Sequence, residues 1–117
     1  FYSKVACSSA VYDAFVLKLD KNGNQQWLKT FGGWGNRQFY VIKEIGNNTI
    51  AAFGWRDGET DSTGKFYLVK LNAVTGDTVS TFTLDVPGLY RGYGMDYTYD
   101  GKFILSGTRY NQVALFK

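Results

Sequence analysis

Residues 13–20 read Asp13-Ala-Phe-Val-Leu-Lys-Leu-Asp20, and residues 65–72 read Lys65-Phe-Tyr-Leu-Val-Lys-Leu-Asn72. The two stretches superpose with Lys18 on Lys70, and a third, Gln112-Val-Ala-Leu-Phe-Lys117, ends in the same register. The three lysines are separated by 52 and 47 residues. Each stretch is apolar at consecutive positions: Phe15, Val16 and Leu17 in the first, Phe66, Tyr67, Leu68 and Val69 in the second. A strand with one wet face alternates polar and apolar residues. A short continuous apolar run bounded by turn residues instead describes a strand covered on both faces.

The repetition extends outward from these runs. Thr49-Ile-Ala-Ala-Phe-Gly-Trp55 superposes on Lys102-Phe-Ile-Leu-Ser-Gly-Thr108 at an offset of 53, which sets Gly54 on Gly107. The beginning of the chain superposes on its end at an offset of 99, two periods, with Val5-Ala-Cys-Ser8 on Ile104-Leu-Ser-Gly107. Asn22-Gly23, Asn47-Asn48, Thr75-Gly76-Asp77 and Asp100-Gly101 punctuate the periods as turns. Asn-Gly in particular reads as a two-residue hairpin of type I′, which needs positive φ at both positions.

Between the turns lie strands of about six residues. One full period supplies strands A (39–45), B (49–55), C (65–71) and D (78–84). The preceding period supplies B (4–8), C (14–19) and D (25–30), and the following one A (93–99), B (102–108) and C (113–117). Four antiparallel strands repeating every 40–50 residues are the signature of propeller blades. The expected fold is therefore all-β: a β-propeller fragment of about two and a half four-stranded antiparallel blades, B-C-D, A-B-C-D and A-B-C. The partial blades occupy residues 1–33 and 87–117, and the complete blade residues 34–86.

Composition narrows the chemistry. The 117 residues are 44% hydrophobic and 18% aromatic, which supplies a packed core and argues against disorder. Fourteen glycines against one proline suit many tight turns. With no histidine, imidazole acid–base chemistry and imidazole metal ligation are excluded. A single cysteine, Cys7, excludes an internal disulfide and a Cys-only zinc site, and reads as a small buried residue on strand B. No apolar run approaches the ~20 residues of a membrane-crossing helix. The chain opens at Phe1 with no charged n-region or h-region, so a signal peptide is expected to be absent or already removed. The net charge of +3 is spread singly along the chain, whereas nucleic-acid binding wants a clustered stripe, so no nucleic-acid partner is expected. No phosphate loop occurs, because Gly32-Gly33-Trp34-Gly35 is followed by neither Lys-Ser nor Lys-Thr.

The stretch from residue 13 to 33, Asp-Ala-Phe-Val-Leu-Lys-Leu-Asp-Lys-Asn-Gly-Asn-Gln-Gln-Trp-Leu-Lys-Thr-Phe-Gly-Gly, resembles the repeat of bacterial-type β-propeller surface proteins, D-x-[FY]-[VL]-x-K-L-D-x-x-G-N-x-x-W-x-x-x-[FL]-G-G. The likeness covers that repeat well, residues 66–82 moderately, and two flanking part-repeats. It departs at Ser80, which stands near the tryptophan position, and at Asn36-Arg37, where the family usually has Asn-Asp. The resemblance implies blade-docking roles for Trp27 and Phe31, and an extracellular or cell-surface location. Leu71-Asn-Ala-Val-Thr-Gly-Asp77 resembles the docking motif of quinoprotein propellers, which in that family locks blades together and is not catalytic.

Several residues are candidates for binding. Trp34, Trp55, Tyr90 and Tyr93, with Tyr110, are read in or beside connections, and Arg37 and Arg91 stand with them just before strand A of successive blades. Trp, Tyr and Arg in such places suit carbohydrate stacking or a protein hot spot, although structural use accounts for them as well. Asp57, Glu59 and Asp61 alternate as calcium-loop oxygen ligands do, but Ser62 replaces the usual glycine and no glutamate follows at position 12. Asp20, Asn22 and Asn24 share that spacing with less charge. Both read more economically as polar hairpin tips. No cofactor is expected, calcium being the one metal candidate. Lys18, Lys70 and Lys117 read as solvated charges that block further strand pairing.

A terminal blade with nothing beside it would expose an apolar face costing on the order of 10 kcal/mol at about 25 cal/mol per Å². The residues are therefore expected to belong to a longer protein, or to chains that assemble into one ring. The expected partners are remaining blades or neighbouring subunits, together with another protein or a glycan. The functional expectation is a non-catalytic propeller segment, a structural or protein-interaction module of a surface or secreted protein. A lectin-like propeller with rim aromatics is the alternative, followed by a fragment of a quinoprotein-like enzyme.

Overall fold

A computed structural model describes residues 12–33, 35–57, 64–84 and 89–109. The described residues form eight strands and no helix: β1 (Ala14–Leu19), β2 (Gln25–Phe31), β3 (Arg37–Gly46), β4 (Thr49–Asp57), β5 (Gly64–Asn72), β6 (Thr78–Leu84), β7 (Leu89–Tyr97) and β8 (Phe103–Arg109). All pairing is antiparallel between sequence neighbours. It divides the strands into three open sheets: β1-β2, β3-β4-β5-β6 and β7-β8. The strands expected at 4–8 and 113–117 lie outside the described residues, as do Cys7 and Lys117.

The sheets are layered, with the four-stranded one in the middle. Ala52, Tyr67, Val69 and Leu71 on one of its faces pack against Ala14, Val16 and Phe31 of β1-β2. Ala51, Phe53, Phe66 and Leu68 on the other pack against Met95, Phe103 and Leu105 of β7-β8. Ala51 and Ala52 are neighbours on β4 and both fully buried, which requires cover on each side. The consecutive apolar residues of β5 thus divide between two cores.

Three strands differ from the sequence expectation by two residues or more at an end. β3 and β7 begin earlier, at Arg37 and Leu89, because their first residues still find ladder partners: Arg37 opposite Arg56, Leu89 opposite Arg109. For the same reason β4 runs on to Asp57, opposite Gly64. Arg37, Tyr90 and Arg91 consequently stand on strands rather than in connections, and Trp55 and Tyr93 lie inside their strands rather than at the ends.

The turns are placed as expected, but one is of a different kind. Asn47 and Asn48 both have positive φ (51° and 54°), the type I′ geometry. At Asn22-Gly23 only Gly23 turns left-handed, at 90°. Here Gly23 N–H donates to Asp20 O and Asp20 N–H to Asn24 O, and the ladder slips between Lys18 and Leu19. The result is a longer loop closed by a bulge. Its shape follows from Asp20, whose Oδ1 accepts the N–H groups of Asn22 and Asn24. Those bonds, Asn24 first, hold the Asp20 carboxyl below the usual carboxylate range.

Candidate functional site

The layers are tied by polar contacts at both ends of the strands. Trp27 and Lys18 are cross-strand partners. Both reach the β5–β6 turn of the middle sheet, where Trp27 Nε1 and Lys18 Nζ donate to Ala73 O at 3.1 and 2.8 Å. The Trp27 ring lies against Gly76, where an added Cβ would sit 2.7 Å from it. That turn is itself fixed, since Asn72 Oδ1 accepts from the backbone N–H groups of Val74 and Thr75. Phe31 is buried and meets Phe39 edge-on at 5.3 Å. Lys70, one period after Lys18, also crosses to the following sheet, its Nζ 5.4 Å from the centre of the Phe103 ring. Lys18 and Lys70 are therefore inter-sheet contacts, not the solvated edge charges expected. A lysine stem can cover apolar surface while its head finds an acceptor or a ring.

The opposite end gathers five cations that the sequence scatters. Arg37 pairs with Arg56 and Arg56 with Lys65 along the middle sheet, while Arg91 and Arg109 occupy the corresponding end of β7-β8. The crossing of β7 over this end is close: a Cβ on Gly64 would fall 1.8 Å from Tyr90 O. Two groups of arginine against aromatic rings result, one on each face of the middle sheet. On the β1-β2 side, the Arg37 and Arg56 guanidinium carbons stand 5.4 and 5.7 Å from the Tyr67 ring centre, and Arg37 Nη1 donates to Tyr67 OH. Like charges directly opposite on neighbouring strands repel, and the shared ring offsets part of that cost.

On the β7-β8 side, the Arg91 guanidinium carbon lies 4.4 Å from the Trp55 ring centre and 4.6 Å from that of Tyr90. Trp55, Tyr90 and Arg91, three of the residues singled out in the sequence, thus form one cluster in the cleft between two sheets. Trp55 is only 3% exposed, and its Nε1 is buried without a hydrogen-bond partner. Arg91 Nε is buried and unpartnered too, as is Arg37 Nε in the other cluster. All these groups are donors. Buried polar groups without partners are uncommon in folded proteins, so orphans of one sign mark a place that lacks an acceptor.

Tyr93 lies apart from that cluster and meets Tyr40, ring centres 4.7 Å apart. The β3–β4 ladder slips between Phe39 and Val41, and the β7–β8 ladder between Gly92 and Gly94. Tyr40 and Tyr93 are the residues squeezed out by these two bulges, and they are 53 residues apart, one period. Both remain substantially exposed.

Asp57, read as a calcium-ligand candidate, makes contacts with Asn36 in the structure. Its Oδ2 accepts the Asn36 N–H at 3.0 Å and its own N–H donates to Asn36 O, which clamps the entry to β3. Glu59, Asp61 and Trp34 lie outside the described residues. Among the described residues no group of three or more Cys, Asp or Glu side chains converges as a metal site would require, and no helix is long and apolar enough to cross a membrane. Arg56, Tyr67 and Tyr40 were not read from the sequence as site residues. Tyr40 was recoverable from its offset of 53 to Tyr93, and Arg56 from the same offset to Arg109.

No family model, no curated protein and no solved structure matches this chain.

Proposed function

We propose that the chain is a stretch of β-propeller, its three sheets successive blades, acting as a non-catalytic structural and interaction module of a surface or secreted protein. One observation carries this reading. At the 52-residue offset, Phe15, Leu17 and Leu19 of β1 correspond to Tyr67, Val69 and Leu71 of β5. The β5 residues are buried against the preceding sheet, whereas Phe15 and Leu17 are 59% and 41% exposed. At the 53-residue offset, Ile104 of β8 corresponds to Ala51, which is buried against the following sheet, and Ile104 is exposed. Each sheet repeats the same two-faced code, and the outer sheets each show one face bare. Their occupants are further blades or neighbouring subunits of like kind.

The test is sedimentation of the full chain across a concentration series. Association through the bare faces is expected, weakened at least about tenfold in the double variant Phe15→Ser, Leu17→Ser, since each side chain is worth about 1.5–3 kcal/mol when fully buried. A chain that stays monomeric and binds no apolar dye, with the variant indistinguishable from it, overturns the reading.

A second reading, carbohydrate binding by ring stacking, is favoured at Tyr40 and Tyr93. Their rings reach solvent, whereas Arg91 already lies over the ring of Trp55.

A further inference from the structure

We propose that the cleft between β4 and β7 is a carboxylate-binding site built from Arg91 and Trp55. Among the described residues Arg91 Nε is buried without an acceptor, and the guanidinium lies against two aromatic rings rather than beside a carboxylate. A guanidinium held against rings keeps its N–H groups in its own plane, pointing away from the ring contacts. A ligand must therefore arrive along that plane, the approach that suits the planar, two-oxygen fork of a carboxylate. Beside the buried Nε of Arg91, the buried Nε1 of Trp55 adds one further donor within the same cluster. Trp55 is almost wholly enclosed, so its N–H has no bulk water to turn to.

The rings also fix the guanidinium before any ligand arrives, which lowers the ordering cost of binding. Tyr90 precedes Arg91 on β7 and Trp55 comes from β4, so the site exists only where two sheets are stacked. A carboxylate there bridges groups from both layers. The ligand class is a carboxylate-bearing molecule: the acidic side chain of a peptide, or an acidic sugar.

The experiment is a titration of the full chain followed by the indole N–H resonance of Trp55 and the Nε–H resonance of Arg91. Sodium acetate and sodium glucuronate are compared with sodium sulfate, phosphate and chloride at equal ionic strength, and with neutral glucose. Both resonances are expected to move saturably with the two carboxylates, and not with chloride or glucose. Arg91→Lys should weaken binding about tenfold, because a point charge replaces a fork. Trp55→Phe keeps the ring and removes the N–H, and should weaken it several-fold. If Arg91→Lys fails to fold, the wild-type titration and Trp55→Phe still decide. No saturable movement up to about 100 mM carboxylate, tighter binding of sulfate or phosphate than of carboxylate, or unchanged affinity in the folded variants overturns the assignment. Binding of glucuronate with none of acetate identifies an acidic sugar as the source of the carboxylate, and comparable binding of the two shows that the carboxylate alone is recognised; both support the site.

Discussion

Trp27 holds two layers together with one ring and one N–H. The ring closes on Gly76 and the Nε1 donates to Ala73 O, so a residue of β2 is fastened to the β5–β6 turn. It is only half-buried, which places the cost of losing it below that of a fully enclosed tryptophan. Trp27→Ala should destabilise the chain by about 2 kcal/mol, combining lost apolar burial with one hydrogen bond. Trp27→Phe, which keeps a ring and drops the donor, should cost about 1 kcal/mol. Denaturant midpoints measure both, and a midpoint unmoved by Trp27→Ala removes Trp27 from the docking contact. At this scale the sequence was informative about Trp27 only through its place in the repeat that residues 13–33 resemble. It was silent about Arg56 and Tyr67, whose partnership depends on which face of β4 and β5 they share, and that is set by cross-strand register.

Among elements, the bulged pairs β3–β4 and β7–β8 show how a periodic glycine was legible while its purpose was not. Gly54 and Gly107 align by eye at an offset of 53. Only the ladder shows that a Cβ on Gly54 would lie 1.9 Å from Gln38 O, and one on Gly107 2.0 Å from Arg91 O. Each glycine lets the first strand of its sheet press in just before the bulge that turns out Tyr40 or Tyr93. The obstruction is backbone, which cannot swing aside as a side chain does. Gly54→Ala should therefore cost about 1–3 kcal/mol through overpacking, although Gly54 has no left-handed φ. Gly46 makes the contrast: its φ is 93° with nothing within 4 Å of an added Cβ. Gly46→Ala meets only the left-handed strain of about 1–2 kcal/mol. The two variants separate by the Tyr40–Tyr93 contact, measurable as the proximity of their ring protons. Gly54→Ala should disturb it and Gly46→Ala should leave it. A Gly54→Ala protein with the tyrosine contact intact and unchanged stability would show that the close approach at Gln38 is unimportant to the bulge.

For the whole molecule, the deciding quantity is how many faces a sheet has to cover. The middle sheet has two, and each is dry only because a neighbour lies on it: Val69, Leu71 and Ala52 against β1-β2, Ala51, Phe53 and Leu68 against β7-β8. This was the most legible feature of the sequence, because a run such as Phe66-Tyr-Leu-Val69 has no wet side to offer. The order of the layers was readable too, since strands close in sequence pair first and the repeats follow one another. Which residue meets which across the clefts was not: Arg91 and Trp55 share no repeat offset, and even Lys43 and Asp96, equivalent positions 53 residues apart, meet at 3.5 Å only because of how the sheets are stacked. The Asp96 carboxyl is held below its ordinary range by the Tyr97 N–H and then by Lys43, but both members of the pair are exposed and contribute little to holding the layers. Apolar cover is the dominant force. A peptide of residues 35–84 keeps the four-stranded sheet with its own ladder and loses both covers. It should show no cooperative unfolding transition and should bind apolar dyes strongly, since several fully buried side chains at about 1.5–3 kcal/mol each exceed the stability of a small domain. Adding residues 12–33 back in the same chain restores one core and should recover part of the cooperativity, with the dye signal falling accordingly. If the isolated sheet instead melts as sharply as the full chain, the strands hold one another through the ladder alone, and the layers are neighbours rather than supports.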